Sequence, residues 1–146
     1  MLFKIYDKQN LPTQSEFDTV TKFLFEHLEQ FGDDHSAIAK CADFALGRGD
    51  NSLGGFILTA EKDDQLAGVV IMNRTGMSEY IPDNILVYIA THRSLRGQGV
   101  GTALMKKAIE LSDGPVALHV EPDNPALKLY EKLGFTNKYL EMRLTK

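Results

Sequence analysis

The sequence predicts an α/β domain: a mixed, mostly antiparallel sheet with helices flanking both faces. Two observations predict the class. Apolar residues alternate between strand-like runs and helical spacing in the order β-α-α-β-β-β-α-β-α-β. Consecutive strands in the first half pair as hairpin neighbours, whereas the β-α-β alternation of the second half sets helices against the sheet. A third observation bounds the size. The chain has 146 residues, one ordinary domain's length, with no repeat, linker or low-complexity stretch, so residues 1–146 read as a single domain.

The elements follow in order. Leu2 to Tyr6 is a strand, closed by Asn10-Leu11-Pro12. Thr13 and Glu16 have the spacing of a capping box, in which each satisfies the other's free helix-start groups. Phe17, Val20, Leu24, Leu28 and Phe31 then recur on one helical face until Gly32. A second helix is expected from about Ser36 to Leu46, with Ile38, Ala42 and Leu46 on one side and Gly47 following. Phe56 to Glu61 and Leu66 to Asn73 read as strands joined through Lys62-Asp63-Asp64. A loop containing Gly76, Pro82 and Asp83 leads to the apolar strand Ile85–Thr91. The next helix runs from Gly101 to Leu111, with Val100, Leu104, Ala108 and Leu111 in register. Val116 to Val120 is a strand, and Asn124-Pro125 a helix start, a polar cap followed by proline. That helix ends at Gly134, and Phe135 to Leu144 is expected to finish as a strand.

Composition narrows the function. A formal charge of −4 disfavours nucleic acid as a partner, because duplex binders present basic patches. No apolar run approaches the roughly 20 residues that span a bilayer, and the first residues are too short and strand-like for a secretory signal. One cysteine, Cys41, cannot form an internal disulfide, so a reducing cytoplasm is expected. Cys41 falls on an apolar helix face, as a buried inert thiol does. His27 and His35 lack metal-ligand spacing, and no Cys/His cluster forms a zinc site, so no metal is expected.

The chemistry concentrates between the strand ending at Thr91 and the helix opening at Gly101. Arg96-Gly97-Gln98-Gly99-Val100-Gly101 is a glycine-rich turn at a helix start. Glycine lets the backbone approach a ligand and take left-handed conformations, and the helix start supplies free amides and the positive dipole end. Together they form an anion cradle. A tight strand-to-helix connection needs glycines too, and that reading stays open. A P-loop would need a lysine after its last glycine, where this chain has Thr102. A dinucleotide fingerprint would space its glycines as G-x-G-x-x-G early in the fold, whereas this is G-x-G-x-G past the midpoint.

Arg96-x-x-Gly99-x-Gly101 resembles the pyrophosphate-binding motif of the GNAT superfamily of acetyl-CoA-dependent N-acetyltransferases. Asn124-Pro-Ala-Leu-Lys-Leu-Tyr130-Glu-Lys-Leu-Gly134-Phe135 is similar to that family's second signature. The resemblance is specific from Ile85 to Leu144, and residues 1–80 share only the order of elements. It implies a GNAT-like sheet splayed between the fourth and fifth strands and an acyltransferase that moves acetyl from acetyl-CoA to a primary amine by direct attack. The pyrophosphate would lie on the backbone of Arg96, Gly97, Gln98, Gly99, Val100, Gly101 and Thr102. Main-chain groups of Ile89, Ala90 and Thr91 would hold the pantetheine arm, with a contact from Asn124. Tyr130 matches the usual general acid, which protonates the departing thiolate. A phenol of pKa about 10 stays protonated at neutral pH, whereas the thiol it serves sits near 8.5. The family often carries proline where this chain has Arg93.

The general base does not carry over. An alkylammonium of pKa near 10.4 is only about one part in two thousand deprotonated at pH 7, so its proton needs a destination. Where the family places Glu or His in the fourth strand, this chain has Ile85 and Val87. Glu121, at the end of the fifth strand, is the catalytic candidate nearest the splay. Glu79, Asp83, Tyr88 and a route through water are its rivals. The acceptor site is expected from the first two helices and the loop from Asn73 to Asn84. Glu26, Glu29, Asp33 and Asp34 make that region acidic, and the amine could belong to a small molecule or a protein. A homodimer stays open. The missing strand base leaves an alternative: a non-catalytic acyl-CoA-binding or regulatory module of the same fold.

Overall fold

A computed structural model describes residues 1–146. Strand β1 (Leu2–Tyr6) leads into helices α1 (Gln14–His27) and α2 (His35–Ala45), then strands β2 (Gly55–Lys62), β3 (Gln65–Arg74) and β4 (Asn84–Thr91). Helix α3 (Val100–Leu111), strand β5 (Val116–Leu118) and helix α4 (Leu127–Lys132) complete the order. The strands form one sheet in the order β1-β2-β3-β4-β5, antiparallel except for the parallel β4–β5 pair. The β2–β3 hairpin turns through Asp63 and Asp64, whose φ values of 53° and 61° match the right-handed twist of the flanking strands. No helix is long and apolar enough to cross a membrane.

Alternation along the strands sends side chains to two cores. Phe17, Val20 and Leu24 of α1, with Ile38, Ala42 and Ala45 of α2, cover Ile57, Val69, Ile71 and Tyr88. On the opposite face Val100, Leu104, Met105 and Ala108 of α3, with Tyr130 of α4, cover Leu58, Val70, Met72 and Leu86. Helix α3 sits tightly on β3: a Cβ on Gly68 would lie 2.3 Å from Leu104 Cδ1.

Strand β4 carries the irregularity that makes a site. Ile71 pairs with Tyr88 and Met72 with Leu86, so Val87 bulges out without a partner on β3. The bulge reverses the alternation, leaving Leu86 in the α3 core and Tyr88 in the α1–α2 core. Strand β5 pairs with β4 only along Asn84–Leu86. Beyond Leu86 the two strands part, and the β4 edge from Val87 to Thr91 is left without a neighbour on that side.

The Thr13–Glu16 capping box forms, and its Glu16 also takes Lys4 Nζ at 2.9 Å. Four boundaries differ from the sequence expectation. Helix α1 stops at His27 instead of continuing to Gly32, because Glu29–Phe31 tightens into a 3-10 turn. Two arginines take the released carbonyls: Arg93 Nη2 donates to Glu26 O at 3.0 Å and Arg96 Nη2 to His27 O at 2.8 Å. Helix α4 starts at Leu127, since the Asn124 side chain spends itself in a turn, accepting the Ala126 amide at 2.9 Å. Strand β5 ends at Leu118 rather than Val120. The expected final strand, Phe135–Leu144, does not form. A strand needs an edge to pair with, and the edge that β5 offers is only three residues long. Tyr139, Leu140, Met142 and Leu144 stay exposed.

Candidate functional site

A cleft of about 460 Å³ lies along the free edge of β4. Ile89, Ala90 and Thr91 form one wall and the turn from Leu95 to Thr102 one end, while Asn124–Ala126, Leu129 and Tyr130 close the far side. His27, Leu28, Glu29 and Phe31 complete it from the end of α1.

The glycine turn has the conformation its sequence requires. Gly97 and Gly99 take φ of 77° and 84°, in the left-handed region where a side chain is strained, and Gly99 is the N-cap of α3. The first bond back into the helix runs from Ala103 N to Gly99 O at 3.1 Å. No backbone carbonyl accepts the amides from Gly97 through Thr102. These free donors and the positive end of a three-turn helix meet at the cleft mouth, an arrangement suited to a phosphate group.

The side chains of the turn are committed elsewhere. Besides the His27 carbonyl, Arg96 reaches Glu29 Oε1 at 3.4 Å, and Glu29 also takes Arg93 at 3.6 Å. Gln98 does not line the cleft; its Oε1 accepts Lys62 Nζ at 3.2 Å. His92 caps the 3-10 turn Arg93–Leu95 by accepting the Ser94 amide, and its ring lies 4.2 Å from that of His27. His27 Nδ1 accepts the Arg93 amide at 3.2 Å, so that nitrogen carries no proton. Burial lowers the His27 pKa, and the neighbouring His92 and Arg93 lower it further. The donors left free for an anion are main-chain ones, and the arginines fasten the turn to the end of α1.

Tyr130 stands at the other end, with its ring edge-on to Phe135 at 6.0 Å. It is 5% exposed, and burial pushes its phenol up to about 12. No protein group bonds its hydroxyl, so the O–H remains available to a ligand in the cleft. Glu121 sits exposed in the turn after β5 and is not among the lining residues.

The other proton acceptors weighed from the sequence are distributed as follows. Glu79 is exposed in the loop before β4, and Asp83 takes Thr75 through its main-chain oxygen. Tyr88 donates to Asp33 Oδ2 at 2.5 Å; burial and that carboxylate both raise its phenol, so it stays protonated. Cys41 is a partly buried thiol pushed up to about 12 by desolvation. Local sequence patterns do not announce that the end of α1 lines the cleft, because its contacts with the turn join residues 66 to 69 positions apart. The run of cations Arg93 and Arg96 facing Glu26 and Glu29 was the one available signal.

Residues 12–135 match the model of the acetyltransferase (GNAT) family. No curated protein matches the chain. Solved structures share its fold. An aminoglycoside 6′-N-acetyltransferase from Acinetobacter haemolyticus is 17% identical, with 100% of this chain and 98% of that one covered and a TM-score of 0.69. A ribosomal-protein-alanine N-acetyltransferase from Brucella melitensis is 19% identical, with both chains covered fully and a TM-score of 0.65. A transcriptional regulator from Bacillus halodurans is 16% identical, with 99% of this chain and 100% of that one covered and a TM-score of 0.70.

Proposed function

The chain belongs to the acetyltransferase (GNAT) family, and on that footing we propose that it transfers acetyl from acetyl-CoA to a primary amine by direct attack. One observation carries the reading: free amides from Gly97 to Thr102, the unpaired β4 edge and the unbonded Tyr130 hydroxyl line a single cleft in that order of chemistry. An anion cradle, an extended main-chain rail and a proton-bearing donor are what a long pyrophosphate thioester requires. The cleft's volume suits a cofactor-sized ligand.

In this reading the amides of the turn hold the pyrophosphate, each contact contributing roughly 0.3–1 kcal/mol. Main-chain groups of Ile89, Ala90 and Thr91 align the pantetheine arm as an added strand. Asn124 holds the wall opposite, although its Oδ1 is engaged by the Ala126 amide. The bulge at Val87 turns the chain where the thioester carbonyl would lie. The amine nitrogen forms a bond to that carbonyl carbon, the carbon–sulfur bond breaks, and the electron pair leaves on sulfur. Tyr130 supplies the hydrogen bond to that sulfur. The amine's proton leaves through water, since none of Glu79, Asp83, Tyr88 and Glu121 lines the cleft, and Glu121 acts only through such a water. No metal enters the scheme, and the lone unpaired Cys41 fits a reducing cytoplasm.

The test is calorimetric titration with acetyl-CoA followed by thiol release with a panel of amines. Micromolar binding with amine-dependent thiol release is expected. Binding without turnover on any amine would return the chain to a non-catalytic acyl-CoA-binding module. Absence of binding would refute the cleft.

A further inference from the structure

The mechanism above leaves one polar cluster unused, and it lies on the α1–α2 side of the same strand. Four elements supply it. Asp33 follows the 3-10 turn after α1, Cys41 lies on α2, Asn73 near the end of β3 and Tyr88 on β4 just past the bulge. Tyr88 Oη donates to Asp33 Oδ2 at 2.5 Å, and Asn73 Nδ2 donates to Cys41 Sγ at 3.4 Å. Asp33 adds to the forces raising the Cys41 thiol, and Cys41 to those raising Tyr88, which brings the two bonded pairs into one neighbourhood.

The cluster adjoins the cleft along the chain without lining it. Phe31 and Ile89 both line the cleft; Asp33 is two residues beyond the first and Tyr88 one residue before the second. Tyr88 pairs with Ile71, and Asn73 lies two positions farther along β3 on the same face. Val87, the bulged residue between Leu86 and Tyr88, is exposed.

Two features mark the cluster as a receiving site for a cation. Asn73 is only 8% exposed, and its Oδ1 is the buried side-chain oxygen with no hydrogen-bond donor. A buried unpaired acceptor is destabilising, and a donor-bearing ligand relieves it. Asp33 itself is exposed, and the one bond from Tyr88 leaves its other lone pairs free.

We propose that Asp33, oriented by Tyr88 and backed by the unpaired oxygen of Asn73, receives the acceptor as a cation and thereby selects positively charged amines over zwitterionic ones. This rests on the acetyltransferase reading and extends it to the acceptor's chemical class. Asp33 is a binding residue for the acceptor, and Tyr88 is a positioning residue that fixes the carboxylate's direction.

The experiment compares wild type with Asp33→Asn, Asp33→Glu and Tyr88→Phe. Asparagine can still accept the Tyr88 hydroxyl, so Asp33→Asn removes the charge while keeping the tie between the loop and β4. Steady-state kinetics with acetyl-CoA are run on n-butylamine, 1,4-diaminobutane, a short peptide with a free amino terminus and a cationic side chain, and glycine as the zwitterion. Calorimetry measures acetyl-CoA separately. The expected result is a preference for the cationic amines and a KM for the best acceptor at least tenfold higher in Asp33→Asn. The kcat and the affinity for acetyl-CoA should stay within threefold, with most of the KM recovered in Asp33→Glu and a smaller rise in Tyr88→Phe. A KM within twofold of wild type in Asp33→Asn, or glycine as the best acceptor, overturns this inference and leaves the acetyltransferase reading standing. Binding of acetyl-CoA with no turnover by wild type on any amine overturns both.

Discussion

Replacing Tyr130 by phenylalanine removes one oxygen that no protein group holds, which separates catalysis from folding. The ring stays in place against Phe135 and the α3 core, and no hydrogen-bond partner is orphaned. Stability should therefore change by less than about 0.5 kcal/mol, the range of substitutions that break no packing or bonding. The effect on the reaction follows from the phenol's acidity. Burial pushes it up to about 12, whereas an ordinary thiol is near 8.5. At about 1.36 kcal/mol per unit, full proton transfer to the leaving sulfur is uphill by roughly 5 kcal/mol, less if the cleft raises the thiol too. Tyr130 thus serves best as a donor to developing negative charge. A hydrogen bond to a charged group contributes about 1.5–3 kcal/mol, so kcat should fall by roughly 10- to 150-fold. The assay is thiol release under saturating amine, with calorimetry for acetyl-CoA and a melting curve for the fold. Unchanged kcat would remove Tyr130 from the mechanism. A fall accompanied by weakened acetyl-CoA binding would instead assign the residue to ground-state binding.

The remaining expectations concern the turn and its fastening. Gly99→Asp puts a carboxylate in the anion's seat and a side chain on a left-handed residue; the melting temperature should fall by a few degrees, about 1–2 kcal/mol of strain, while acetyl-CoA affinity drops at least tenfold by calorimetry. Arg96→Ala releases the His27 carbonyl and Glu29, so acetyl-CoA affinity should fall several-fold with faster amide exchange at both the α1 end and the turn. His27 has a folded pKa below its unfolded value near 6.5, so its contribution is present above about pH 6.5 and lost as pH falls through the folded value. Protonated Nδ1 can no longer accept the Arg93 amide, and acetyl-CoA affinity should decline below pH 6.5 in wild type; a flat profile there would detach His27 from the turn.

Local signals were legible in the sequence and distant pairings were not. The capping box at Thr13, the Asp63-Asp64 hairpin and the glycine turn each have causes within a few residues, and each formed where its residues predicted. The final strand failed for the opposite reason. Leu140, Met142 and Leu144 alternate as strand residues do, but alternation reports a face that could be buried, not an edge that can pair with it. Helix α1 likewise kept its apolar spacing past His27, and what ended it were two arginines far along the chain. In the candidate site the turn and Tyr130 were readable from the motifs. Asp33 and Tyr88 were each visible as an acid and a phenol, yet their bond spans 55 positions and depends on a bulge that nothing in Ile85–Thr91 announces.

That bulge ties the two halves of the site together. Without it, strand alternation would put Leu86, Tyr88 and Ala90 on one face, and Tyr88 would share the α3 core with Leu86. The extra residue moves Tyr88 to the α1–α2 side, within a hydrogen bond of Asp33, while β5 turns away and exposes the edge that follows. In the proposed reading, donor and acceptor chemistry therefore meet at one irregularity in one strand. The arginines of the turn reinforce the arrangement from the other end, since they hold α1 against the cradle instead of facing the anion themselves. Movement of α1 would thus alter the phosphate cradle through Arg96 and the Asp33 loop through the chain that follows His27. The site behaves as one mechanical unit, in which loosening the fastening at either end should be felt at both substrates.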